Sequence, residues 1–188
     1  MKVTNLFVKA EHGAPMRDVS SIRFSKHGLE GHVASAPFRQ VLVTSRSVTA
    51  AFGLNDGDLR ENVVVDFDGL YELPSGTVVR IGEALVRLTF HCEPCKKIAH
   101  LVDLKDVLHR RGVFGSFLNS GRIAVGDRFA VTEDRFEAIP YAVGERIRWF
   151  LKRHGASVAL VDLAHAIGLP ASSYGKALPA LARKFASS

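Results

Sequence analysis

The sequence predicts a mainly β protein: a closed or nearly closed antiparallel barrel over residues 1–139, followed by a three-helix unit over residues 140–188. Two observations carry that expectation. Short runs of alternating or β-branched residues recur as far as Thr132, separated by Gly, Pro, Asn and Asp turn chemistry. Beyond Pro140 the apolar spacing becomes helical, and seven Lys or Arg face only two carboxylates between Ile139 and Ser188.

Taken in order, Met1 to Ala10 and Val19 to Phe24 read as strands, and Ser25 to Phe38 as a loop carrying His27, Gly28, Gly31, His32 and Pro37. Arg39 to Thr44 returns to strand. Ser45 is placed to cap a short helix through Phe52, which Gly53 closes. Asn62 to Asp66 is a valine-rich strand, Asp66 to Gly69 a hairpin turn into Tyr71 to Leu73, and Thr77 to Ile81 another strand. The stretch from Gly82 alternates apolar and polar residues until Pro94 removes a backbone donor, so this strand ends near Cys92. Leu101, Leu104 and Leu108 have helical spacing, predicting a helix over Leu101 to Arg111. Gly121 to Thr132 reads as one strand. In the tail, helices are expected over Gly144 to His154, from a Ser157 cap to Ile167, and from Ser172 toward Phe185.

The bulk composition bounds the function. At 188 residues, 47% hydrophobic and 23% charged, the chain has the makeup of a folded globular protein. No apolar run approaches a membrane span, and the first residues lack a secretory pattern, so a cytoplasmic protein with no membrane partner is expected. The net charge of +6 suits an anionic ligand, either a phosphate-bearing cofactor or nucleic acid.

Both cysteines lie in His91-Cys92-Glu93-Pro94-Cys95, followed by Lys96 and Lys97. A thiol at a strand end beside two ammonium groups sits where the reactive thiolate is favoured. A bridge closing so small a loop stabilises little, so the pair reads as reactive or metal-binding. Zinc held by Cys92, Cys95, His91 and His100 is one alternative, although structural zinc sites usually join two separated ligand pairs.

The cysteine loop resembles that of the MOSC domain, the C-terminal domain of molybdenum cofactor sulfurases. Other segments are similar to the family in the same order: Gly28-Leu29-Glu30-Gly31-His32, Arg39-Gln40-Val41, Leu59-Arg60-Glu61-Asn62-Val63, Gly76 to Gly82, Gly112-Val113-Phe114 and Gly121 to Asp127. The set resembles a short stand-alone bacterial-type member, with a MOSC-like β-barrel. His32 departs from the pattern, because the family usually has Asp there.

The resemblance implies that Cys95, the cysteine after proline, carries persulfide sulfur or ligates molybdenum. It implies that Arg39, Arg60, Asn62 and Lys96 hold an anionic pterin, the molybdenum cofactor (molybdopterin). The expected activity is sulfur transfer or molybdenum-dependent reduction of N-hydroxylated substrates. Pyridoxal phosphate is not expected, since the chain has no room for a desulfurase domain; a separate cysteine desulfurase or a molybdoenzyme would be the partner. Some longer members, similar to the hydroxylaminopurine-resistance type, also end in a three-helix unit. From another class comes a non-enzymatic ligand-sensing or DNA-binding regulator, acting through Ser172, Ser173 and Lys176 of a helix-turn-helix-like tail.

Overall fold

The computed structural model describes residues 1–33, 36–155 and 158–169. The expected third helix, the Ser157 cap and the DNA-contact residues Ser172, Ser173 and Lys176 lie outside the described residues.

Eleven strands and three α-helices are described: β1 (Val3–Val8), β2 (Arg17–Asp18), β3 (Ser21–Ser25), β4 (Gly28–Leu29), β5 (Val41–Ser45), α1 (Arg46–Ala51), β6 (Val63–Val65), β7 (Thr77–Ile81), β8 (Ala84–His91), β9 (Val113–Phe117), β10 (Gly121–Ala124), β11 (Phe129–Arg135), α2 (Val143–His154) and α3 (Leu160–Ala166). Eight strands pair in the order β11-β7-β8-β9-β5-β6-β1-β2, and β10-β3-β4 form a second sheet. Neighbours are antiparallel except β5 and β6, which run parallel in register Val43 to Val63. The protein is therefore mainly β, as expected, but the large sheet is not closed into a barrel. Its β1 and β11 sides meet at an isolated bridge between Lys2 and Arg128, flanked by Val3 N–H donating to Asp127 O at 2.8 Å.

Alternation explains which face each strand buries. Along β8, Ala84, Val86, Leu88 and Phe90 enter the core while Leu85 and Arg87 are only partly covered. Ala84, Val86 and Leu88 pack with Val41, Val43, Val63, Val65, Val79, Ile81 and Phe129 in the main core, while Phe90 meets the Phe114 ring. Strand β9 was not expected from the sequence, yet it pairs with both β8 and β5. Gly115 permits this close packing, since a Cβ there would stand 2.4 Å from Val86 Cγ1.

Three expectations are corrected. Residues 101–111 form successive turns, such as Asp106 N–H to Asp103 O at 3.2 Å and Arg110 N–H to Val107 O at 3.0 Å. Leu101 and Leu108 face solvent, so the helical spacing has no apolar surface to bury it; Ile98 and Val107 instead pack on Leu59. The expected hairpin at Asp66 to Gly69 is a 3-10 turn over Asp68–Leu70 that sends Leu70 into the core. The expected strand from Gly121 to Thr132 is two strands in different sheets. It breaks at Gly126, φ +90°, where the Asp127 carboxylate accepts the Ala124 N–H at 2.8 Å.

Ser45 holds the N-cap position of α1 without a side-chain cap; its Oγ faces Ser47 Oγ at 2.9 Å. In the tail, α2 and α3 match the first two expected helices. Their apolar faces, including Ile147, Leu163, Ala164 and Ile167, form a second cluster. Among the described residues no helix is long and apolar enough to cross a membrane.

Candidate functional site

The cysteine loop leaves β8 at His91 and is pinned where β9 begins, because Cys92 N–H donates to Gly112 O at 2.8 Å. Gly112, φ +142°, allows the crossing; a Cβ would meet Leu42 Cδ1 at 2.8 Å and Thr44 Oγ1 at 2.9 Å. Cys92 is buried, and burial pushes its thiol up to about 11, so it remains protonated at neutral pH. Cys95 is partly exposed. The two cysteines thus occupy different environments, and the accessible one follows the proline.

Arg111 meets Cys95. The residue is 6% exposed, and Nη1 donates to Glu93 O at 2.7 Å and faces Cys95 Sγ at 3.1 Å. Nη2 reaches Leu59 O at 3.4 Å, joining the cysteine loop to the Leu59-to-Val63 segment. Its Nε is buried without a partner. A buried guanidinium with an idle donor carries an unusual desolvation cost and marks where an acceptor would be welcome.

Arg60 has the same feature. It sits at φ +67°, Nη2 donates to Ala14 O at 3.1 Å, and Nε is buried and unpartnered. Its left-handed backbone belongs to a closed turn: Arg60 N–H donates to Gly57 O at 3.0 Å, and Gly57 N–H to Glu61 Oε1 at 2.7 Å. Lys9, at the end of β1, completes the cluster. Burial first, then the positive charges of Arg60, Lys97 and Arg111, lower its ammonium to about 8, while Cys95 acts in the opposite sense.

Asn62 is 4% exposed and joins strands: Leu42 N–H donates to Oδ1 at 3.0 Å, and Nδ2 donates to Phe7 O at 3.2 Å. Nδ2 also faces His32 Nδ1 at 3.2 Å, and that ring nitrogen lies 3.2 Å from the Lys9 backbone N–H. Burial first, then Lys9 and His12, lower His32 to about 4, so its imidazole is neutral at neutral pH.

Arg39 and Lys96 are placed differently. Arg39 Nη2 donates to both carboxylate oxygens of Glu93 at 2.8 Å, Nε donates to Gly168 O, and the guanidinium lies 4.6 Å from the Phe114 ring centroid. Lys96 is exposed. The four residues of the zinc alternative do not converge: among the described residues no group of three His, Cys, Asp or Glu is placed to hold a metal ion, and His91 Nδ1 turns to His109 O at 2.6 Å.

Open grooves of about 430 and 400 Å³ lie along the three-stranded sheet, lined by residues such as Arg23 and Glu30, and contain none of these groups. The chemistry gathers at the thiol. Sequence reasoning missed Lys9, Glu93, Arg111 and Arg146 there. Glu93 lies inside the cysteine motif and was the one with a signal; the others look like ordinary surface cations.

The sequence pattern of the MOSC domain matches residues 30–130. The chain belongs to the MOSC domain family. The fold is similar to that of several solved proteins. YiiM from Escherichia coli is 16% identical with a TM-score of 0.54, covering 100% of this chain and 94% of that one. YiiM from Geobacillus stearothermophilus is 17% identical with a TM-score of 0.57, covering 95% and 97%. The YuaD protein of Bacillus subtilis is 16% identical with a TM-score of 0.60, covering 72% of this chain and 96% of that one. No curated protein matches the sequence.

Proposed function

We propose that this MOSC protein binds a molybdenum cofactor beside Cys95 and uses that thiolate either as a molybdenum ligand in reducing N-hydroxylated substrates or as a sulfur carrier. One observation carries the reading: Cys95 Sγ lies 3.1 Å from Arg111, in a cluster where Lys9 feels the positive charge of Arg60, Lys97 and Arg111. The buried idle Nε donors of Arg60 and Arg111 fit an incoming polyanion such as a phosphorylated pterin.

In this reading Arg60, Arg111, Lys9 and Lys97 bind the anionic end, and Lys96 adds charge at the rim. Asn62 holds the neutral His32 against the Lys9 backbone, so no second negative charge competes for the cations. Arg39 acts through Glu93. The cofactor would supply a two-electron metal centre able to accept oxygen from an N-hydroxylated compound, its electrons coming from a reduced partner protein. The other branch needs no redox step. The Cys95 thiolate attacks the outer sulfur of a donor persulfide; a new S–S bond forms, the old one breaks, and the donor, a separate cysteine desulfurase, leaves as a thiolate.

The test is elemental and sulfane-sulfur analysis of gently purified protein, with Cys95→Ser and Cys92→Ser beside it. Molybdenum or sulfane sulfur in the wild type, lost in Cys95→Ser and largely kept in Cys92→Ser, is the expected result. Equal loss in both variants with release of zinc would replace it by a zinc site.

A further inference from the structure

We propose that Arg146, from the helical tail, is a positioning residue for the Cys95 loop, holding it through the carboxylate of Glu93. The proposal rests on reading Cys95 as the reactive group.

Arg146 lies in the first turns of α2 and is 0% exposed. All three of its guanidinium nitrogens find acceptors: Nε donates to Pro140 O at 3.0 Å, Nη1 to Ile167 O at 2.9 Å, and Nη2 to Tyr141 O at 2.7 Å. Those three neutral carbonyls lie in the tail and its lead-in. The fourth acceptor is a charge from elsewhere, Glu93 Oε1 at 3.3 Å, two residues before Cys95. The flat face of the same guanidinium stands 3.7 Å from the Phe90 ring centroid on β8, the strand that delivers the loop. A residue serving only to tie tail helices together would need neither of these last two contacts.

Arg39 closes the clamp from the other side. It donates to both oxygens of Glu93 and, through Nε, to Gly168 O just beyond α3. One carboxylate therefore receives two guanidiniums, and the tail touches both of them. From Glu93 the path to the thiol is short. Its carbonyl accepts Arg111 Nη1, the same nitrogen that faces Cys95 Sγ, and Pro94 stiffens the chain between the two residues. If the Glu93 backbone shifts, that nitrogen loses one of the two atoms that place it, and the thiolate loses its charged donor.

The charged groups around the thiol are Arg111 ahead of β9, Lys9 at the end of β1, Arg60, and Lys96 and Lys97 in the loop, with Glu93 beneath. Only Glu93 answers to Arg146. The experiment measures the second-order rate of iodoacetamide alkylation at Cys95 in full-length, cofactor-free protein, with peptide mapping to separate it from buried Cys92. Arg146→Met should slow the reaction at neutral pH by about tenfold, the equivalent of ~1.4 kcal/mol. Arg146→Lys should recover part of the rate, since a point charge can reach Glu93 but cannot serve all four oxygens. Glu93→Gln should behave like Arg146→Met, and the double variant should not be additive.

A lower melting temperature in Arg146→Met with an unchanged alkylation rate would overturn the proposal, leaving Arg146 as packing for the tail. If that variant does not fold, Glu93→Gln decides alone. The Glu93 side chain is 32% exposed, so its change is tolerable, and unchanged alkylation there would also overturn the proposal. Neither outcome depends on molybdenum, so the clamp can fail while the cofactor reading stands, or the reverse.

Discussion

Glu61 offers a sharp test of how the site segment is built. It sits between Arg60 and Asn62, fully buried, with Oε1 accepting the Gly57 N–H at 2.7 Å and Oε2 without a partner. Burial is the main cause that raises its carboxyl from 4.5 to about 7; the Gly57 hydrogen bond opposes this, and the charges of Asp56 and Asp58 add to it. The folded state thus holds this proton more tightly than the unfolded chain. Its contribution to stability is fully present below the unfolded value of 4.5 and is lost as pH rises toward about 7. Each tenfold difference in proton affinity between the two states corresponds to about 1.4 kcal/mol, so the loss is on the order of 2–4 kcal/mol.

Glu61→Gln keeps an acceptor for Gly57 and cannot ionise. Its stability relative to wild type should therefore improve by about that amount between roughly pH 4.5 and pH 8, measured as the difference in urea unfolding free energy. The difference is the proper quantity because His32 runs the opposite way. With its folded value lowered from 6.5 to about 4, His32 gives stability at neutral pH that is lost as pH falls from 6.5 toward 4. That contribution is the same in both proteins and cancels. A stability difference independent of pH would show that Glu61 is ionised in the fold, and the burial argument for this turn would fail.

Two further outcomes follow from the same geometry. Arg60→Ala should weaken molybdenum cofactor binding by about 1.5–3 kcal/mol, and Arg60→Lys should restore only part, as read by titration of apo-protein with the fold checked by circular dichroism. A fragment ending at Ile139 should unfold cooperatively in urea, because the main core draws only on residues up to Val131; its Cys95 should alkylate as slowly as in Arg146→Met, since Arg146 is gone.

Much of the fold was legible because strand patterning is local. Alternation around Val86 and Leu88, the valine run at Val63, and the change to helical spacing after Pro140 each state their structure within a few residues. The failures have a common cause, which is that spacing shows periodicity but not what covers it. Leu101, Leu104 and Leu108 have the period of a helix, yet two of them face water. Strand β9 carries two glycines within or beside it, which lowers its strand signal, and it forms because β8 and β5 leave a slot that only a glycine-bearing strand can enter. The open sheet was likewise invisible, since closure depends on pairing between the first and last strands.

For the site, the motif located the thiol but not its surroundings. Lys9, Arg60, Arg111 and Cys95 come from four separate stretches, and nothing local distinguishes Arg111 from Arg110, which lies over the Phe52 ring instead. On the proposed reading, the balance of charge leaves this convergence open to an anion. Three positions near the cations add little negative charge to offset them. His32 stands uncharged, Glu61 retains its proton toward about 7, and Glu93 is engaged by Arg39 and Arg146. Moreover, the cations crowd closely enough for their repulsion to help lower Lys9 to about 8, which is destabilising in itself. An anion docking against Arg60 and Arg111 would relieve that repulsion and raise Lys9 again. Ligand binding should therefore take up protons near pH 8 if the cluster is built for an anion, and proton-neutral binding would place the ligand elsewhere.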